Sequence, residues 1–264
     1  MRIGVFDSGV GGLTVLRALL ERVAAEYVYL GDTARLPYGA KSRETVARYA
    51  VSSAKFLVEE QGAEFLVIAC NTASALALDA IRAAVAVPVL GVVETGANAA
   101  EASSRTRDVL VIATAATVES HAYAAACAER KLRAMEKACP LLVPLVEEGW
   151  IEHAVTAEVL RIYMAELLEQ ARGAGLEADT LVLGCTHYPL LRAQIEKAVP
   201  AGLRVIDSAE VTANQVANTL QVSGEGAGTS AKFFATDSVK KFRGLGSRFL
   251  GREIDGVELV DLGG

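Results

Sequence analysis

The sequence predicts an α/β fold made of two similar units, each a mainly parallel sheet covered by helices. Three observations carry this expectation. Short uncharged runs rich in Val, Ile, Leu and Phe alternate with longer stretches of helical period, the pattern of strands buried on both faces beneath crossover helices. The alternation restarts after Gly96, so two α/β units are expected to meet near Thr95–Gly96 and again near Asp207. Residues 62–72 and 177–187 also echo one another. Each has an acid, an apolar strand, a small residue, a cysteine, and then amide or hydroxyl side chains opening a helix.

In the first unit, residues 3–6 read as a strand, followed by a glycine-rich turn and the amphipathic stretch 14–24. A strand at 27–30 leads through a Pro/Gly loop into a helix over 42–61. A strand at 65–69 precedes a helix at 72–84, and 87–92 follows as a strand. In the second unit a strand at 109–112 comes before a helical segment from about 118. Residues 141–143 read as a short strand, 151–172 as a long helix and 180–183 as a buried strand. A helix from about 188 and a strand at 204–206 close the set. A helix at 209–220, a Gly/Ser-rich turn at 223–230 and a strand at 232–235 come after Asp207. In such sheets ligands bind where the carboxyl ends of strands meet the following turns.

Composition narrows the function. The 264 residues carry 26 Lys and Arg against 32 Asp and Glu, a net charge of −6, which opposes a surface built to neutralise phosphates; no nucleic-acid partner is expected. A hydrophobic fraction of 52% with 22% charged residues excludes a disordered chain. The uncharged apolar stretches, such as 83–93 with Pro88 inside, fall short of the roughly 18 residues a membrane span needs. The amino terminus reads directly as a strand, with no signal peptide. Cys70, Cys127, Cys139 and Cys185 are spaced by 57, 12 and 46 residues, which fits no zinc pattern. Reduced thiols and a cytoplasmic location are the expectation, with no metal.

Two cysteines stand apart. Cys127 lies in an Ala-rich helical stretch and Cys139 precedes Pro140; both read as small buried hydrophobes. Cys70 and Cys185 instead follow strands and open helices, where free N–H groups and the helix dipole favour a thiolate. His187, two residues past Cys185, is placed to pair with it; His121 and His153 have no such neighbour. Glu147 and Glu148 read either as a solvated turn or as an acid aimed inward.

The loop Asp7-Ser8-Gly9-Val10-Gly11-Gly12-Leu13-Thr14 invites a dinucleotide reading, with Asp32 as the ribose acid. Thr14 stands where a third small residue belongs, and Asp7 would repel a pyrophosphate. Asp7 and Ser8 better suit a cationic amine or a thiol needing an acid nearby, while the glycines would let amides approach an anion. In Gly31-Asp32-Thr33-Ala34-Arg35-Leu36-Pro37-Tyr38-Gly39, an ordinary turn explains Pro37 and Gly39 but not Asp32 ending an apolar strand.

Together these segments resemble the glutamate racemases of the aspartate/glutamate racemase superfamily. The matching stretches are 6–15, 31–39, 69–74, 88–96, Thr114-x-x-Thr117-x-x-Ser120-x-x-Tyr123, 144–149 and 183–191, and 205–215 also fits. Ala113 is a small departure, where the pattern has Gly. The resemblance implies a cofactor-independent isomerase that interconverts L- and D-glutamate and supplies D-glutamate for peptidoglycan. It implies two α/β domains with the site in the cleft between them, the first completed by the C-terminal segment. Cys70 and Cys185 would be the two acid/base residues, with Asp7, Glu147 and His187 as their polar partners. Asp7, Ser8, Tyr38, Gly39, Asn71, Thr72, Thr114, Thr117, Thr186 and His187 would hold the substrate. Members are often homodimers, in more than one arrangement.

The residues leave rivals. A Cys-His hydrolase would need one nucleophile only. A pyridoxal-phosphate racemase would need a Schiff-base lysine, for which Lys41 is the loop candidate in the N-terminal half. A binding module would clamp the ligand without chemistry.

Overall fold

The computed structural model describes residues 1–221 and 230–263. The turn expected at 223–230 therefore lies, apart from Ser230, outside the described residues. The strands are β1 (Arg2–Asp7), β2 (Glu26–Gly31), β3 (Phe65–Ile68), β4 (Val89–Gly91), β5 (Asp108–Ala113), β6 (Arg133–Ala138), β7 (Thr180–Gly184), β8 (Arg204–Asp207), β9 (Ser230–Ala235) and β10 (Glu258–Leu259). They form two sheets, one of order β10-β9-β2-β1-β3-β4 and one of order β6-β5-β7-β8. Every pairing in both sheets is parallel. Val5 lies beside Tyr29 on one side and Val67 on the other; Val111 lies between Glu136 and Val182.

The helices are α1 (Leu13–Arg22), α2 (Arg43–Lys55), α3 (Asn71–Ala84), α4 (Val92–Ser103), α5 (Ala115–Glu119), α6 (Ala122–Glu129), α7 (Leu142–Glu147), α8 (Ala154–Gly173), α9 (Arg192–Ala198), α10 (Ser208–Leu220) and α11 (Val239–Leu250). The central strands are apolar because helices cover both their faces; β5 and β7 are buried along their whole length. One apolar core runs on without a break between the sheets: it contains Ile3, Val5 and Val67 of the first, Leu110, Ile112 and Leu183 of the second, and Leu13, Leu16 and Leu19 of α1. Shortening a fully buried leucine such as Leu16 to Ala would cost about 2–5 kcal/mol. A Thr95–Thr212 hydroxyl hydrogen bond of 2.7 Å ties α4 to α10.

Four local expectations change. Residues 141–143 are not a strand; they lead into α7. Pro144 would remove a ladder donor from a strand but is tolerated in a helix's first turn, and Leu142 and Val146, four apart, are the buried pair. The strand in that region is instead β6, Arg-Ala-Met-Glu-Lys-Ala, whose polar sequence suits an edge position. Its Arg133 pairs with Asp108, with Nε 2.7 Å from Oδ1. The helix expected from 118 divides at His121, whose φ of 54° is left-handed. The helix expected over 42–61 changes to a π-turn at Phe56–Glu60. Helices α4 and α11 had no counterpart in the sequence reading.

Candidate active site

The carboxyl ends of both sheets open on one cavity of about 530 Å³. Ser8 reaches it from the turn after β1, Tyr38 and Gly39 from the 3-10 turn after β2, and Cys70, Asn71 and Thr72 from the end of β3. From the second sheet come Thr114 after β5 and Cys185, Thr186 and His187 after β7. Glu147 and Glu148 close α7, and Lys241 enters from α11. Asp7 and Thr117 are buried and are not among the lining residues.

Cys70 is the N-cap of α3: its Sγ accepts from the Ala73 amide and donates to Ser8 Oγ, both at 3.4 Å. Burial and the nearby Asp7 charge push this thiol up to about 12, against the pull of Ser8 and the Ala73 amide. Asp7 Oδ2 accepts from the Gly9 amide at 2.8 Å, and its Oδ1 has no hydrogen-bond partner among the described residues. Burial raises the Asp7 carboxyl, opposed by the His187 charge.

Cys185 faces His187, with Sγ 3.9 Å from Nδ1. The other ring nitrogen, Nε2, lies 3.2 Å from Glu147 Oε1. Burial disfavours charge on His187, but the hydrogen bonds to Cys185 and Glu147 outweigh it and raise the imidazole to about 10. The hydrogen bond from His187, helped by the Lys241 ammonium, holds Glu147 below its ordinary range. Glu147 is therefore the inward acid of the two sequence alternatives. Helix α11 buttresses this pair: Phe249 packs edge-on to the His187 ring at 5.0 Å, and Arg248 donates to the Val146 carbonyl at 3.4 Å.

Three hydroxyls join the sheets across the cavity wall. Thr114 Oγ1 is 3.1 Å from Thr72 and 3.0 Å from Thr117. Asn71 Oδ1 accepts from Tyr123 OH at 2.7 Å, and Asn71 Nδ2 is buried without a partner among the described residues.

The glycine loop and Asp32 have structural roles. Gly11 and Gly12 are not among the residues that border the cavity. A Cβ on Gly11 would lie 2.2 Å from Thr186 Oγ1, so this glycine lets the two halves of the site close on each other; one on Gly12 would lie 2.6 Å from the Asp7 Cβ and 2.9 Å from the Ala69 Cβ, so Gly12 makes room within the first half. Asp32 is a buried anchor, not a ribose acid: it accepts from Tyr38 OH, from Arg35 Nε at 2.8 Å and from Thr236 Oγ1 at 2.9 Å. Cys127 and Cys139 are buried as expected, although Cys139 also borders the cavity. Lys241 was not anticipated, and no local motif marks it. Among the described residues no group of three or more His, Cys, Asp or Glu could hold a metal, and no helix is long and apolar enough to cross a membrane.

The chain is similar to known proteins over nearly all its length. The family model described as Asp/Glu/Hydantoin racemase matches residues 3–216. A glutamate racemase of Koribacter versatilis is 54% identical, covering 99% of this chain and 98% of the relative. A crystal structure of a glutamate racemase isoform from Bacillus anthracis superposes with a TM-score of 0.90 at 36% identity, covering 98% of this chain and 97% of that one. The Francisella tularensis glutamate racemase, solved with D-glutamate, superposes with a TM-score of 0.88 at 33% identity, covering 99% and 97%. With its fold, its paired strand-end thiols and these likenesses, the chain belongs to the Asp/Glu/hydantoin racemase family, among the glutamate racemases.

Proposed function

We propose that the protein interconverts L- and D-glutamate by passing the α-proton between Cys70 and Cys185, with no cofactor. One observation carries the reading: two thiols at equivalent strand ends of different sheets border the same cavity. Inverting a stereocentre needs a base on one face and an acid on the other, and a thiol from each side supplies both.

From L-glutamate, a Cys185 thiolate takes the α-proton. The Cα–H electron pair spreads into the α-carboxylate, and the Cys70 thiol gives its proton to the opposite face. The products are D-glutamate, a Cys185 thiol and a Cys70 thiolate; the reverse reaction exchanges the roles. The burial that pushes Cys70 up to about 12 favours its thiol form for this donation, and a cationic His187 supplies the counter-charge for a Cys185 thiolate. Donors on the wall, including Ser8, Asn71, Thr72, Thr114 and Thr186, are suited to hold the carboxylates as charge builds on them. Asp7 and Glu147 act as polar partners behind Cys70 and His187.

The same reading takes residues 1–95 with 207–264 and residues 96–206 as two domains meeting at the site. It places the enzyme in the cytoplasm, supplying D-glutamate for peptidoglycan, and allows a homodimer. Support for these finer points is the family resemblance.

The test is incubation with L-glutamate in deuterium oxide, following the α-proton and optical rotation together. Racemisation with solvent deuterium at Cα is expected. Binding without exchange, or exchange with full retention of configuration, would overturn the reading.

A further inference from the structure

We infer that Tyr123 is a positioning residue of the active site: by donating its hydroxyl to Asn71 Oδ1 it fixes the carboxamide with Nδ2 left unpaired, as a donor for a substrate carboxylate. The inference rests on the glutamate reading above and goes beyond it by naming a residue that does not border the cavity.

Four observations support it. Asn71 borders the cavity, and its Oδ1 is committed to the Tyr123 hydroxyl at 2.7 Å. Burial pushes Tyr123 further from ionisation, so its hydroxyl keeps a proton, and in the structure that proton is donated to the amide oxygen. The consequence is a buried Nδ2 with no partner among the described residues. An amide donor left unmet in the interior is costly, and a substrate carboxylate bound beside Asn71 would satisfy it. Finally, the Tyr123 ring is slotted between backbones. A Cβ on Gly96 would lie 3.1 Å from its Cε1, and one on Gly184 would lie 2.9 Å from its Cε2. Tyr123 comes from α6 and Asn71 from α3, so the contact also spans the two halves of the site.

The test compares Tyr123→Phe, Asn71→Ala, Asn71→Asp and the double variant Tyr123→Phe/Asn71→Ala. Steady-state racemisation of both enantiomers is measured alongside thermal midpoints. Tyr123→Phe keeps the ring in its slot and removes only the constraint on the amide. It should raise KM for glutamate about threefold to tenfold, the loss of one hydrogen bond. In the Asn71→Ala background the same change should alter KM by less than about twofold, because the residue it acts through is gone. Asn71→Asp keeps an acceptor for Tyr123 and replaces the donor by a charge, so it should fold normally and lose substrate affinity most. A normally folded Tyr123→Phe with wild-type KM, or fully additive effects in the double variant, would overturn the inference while wild-type turnover left the glutamate reading intact. A wild type that neither binds nor exchanges glutamate would overturn both.

Discussion

His187 bridges Cys185 and Glu147: Nδ1 is 3.9 Å from the sulfur and Nε2 is 3.2 Å from the carboxylate. The ring is buried, so both contacts act at low screening. That relay gives the second thiol a charged partner, whereas Cys70 has an amide, a hydroxyl and the acid Asp7. The two thiols thus sit in different electrostatic settings.

Glu147→Gln should lower turnover by about tenfold to a hundredfold, the worth of a charged hydrogen bond, and weaken glutamate binding less. A loss confined to the transition state appears in kcat. The change should also move a stability profile. His187 is raised from 6.5 to about 10, so its contribution is complete below pH 6.5 and is lost as pH rises through about 10. In Glu147→Gln the folded value should drop, so the loss should be smaller and complete at lower pH, which thermal midpoints across pH 6–10 would register. Identical profiles and unchanged kcat would remove Glu147 from the relay.

Asp7→Asn should likewise lower kcat more than it weakens binding. The Asp7 charge is one reason that Cys70 stands near 12, so neutralising it should lower that value. In a Cys185→Ser background, alkylation of Cys70 by iodoacetamide should show its rise with pH at a lower midpoint. An unmoved midpoint would contradict the coupling.

Much of this site was legible in the sequence because of how parallel sheets are built. The runs before Cys70 and Cys185 are uncharged, and polar residues follow abruptly, so the strand ends announce themselves. What was hidden depends on tertiary neighbours. The polar strand β6 has no apolar period to read, since its Arg133 and Lys137 find Asp108 and Glu166 only after folding. The run at 141–143 is too short for its period to separate strand from helix. Nothing near Lys241 in sequence hints that α11 brings it to Glu147. The Gly11-Gly12 pair was visible, but its purpose was not, because the atoms that crowd Gly11 lie on the other sheet.

Gly11→Ala tests that closure. The added methyl would meet Thr186 Oγ1 at 2.2 Å and His187 Nδ1 at 2.6 Å. Overpacking of this kind costs about 1–3 kcal/mol, and relief would have to come from the two side chains that follow Cys185. Denaturation should show that loss together with a large fall in kcat. Wild-type stability and turnover would mean that the two halves do not meet as described.

Lys241→Ala should leave stability nearly unchanged, since the side chain is exposed, yet alter the pH profile. The Lys241 charge helps hold Glu147 down. Glu147 contributes above its ordinary range and loses that contribution as pH falls through its lowered value. Removing the ammonium should shift the acid limb of kcat/KM to higher pH. An unshifted limb would show that Lys241 does not act on Glu147.

The central claim is that two non-equivalent thiols each serve one face of the substrate. The most direct measurement is elimination of HCl from the two enantiomers of a β-chloro glutamate analogue, which needs a single base, by Cys70→Ser and Cys185→Ser. A serine hydroxyl is a far weaker acid than a thiol, so neither variant should racemise glutamate. Cys70→Ser should still process the L-like isomer and Cys185→Ser the D-like one. A single variant that racemised glutamate at near the wild-type rate would contradict the two-base account, and two variants that processed the same isomer would contradict the assignment of one face to each thiol.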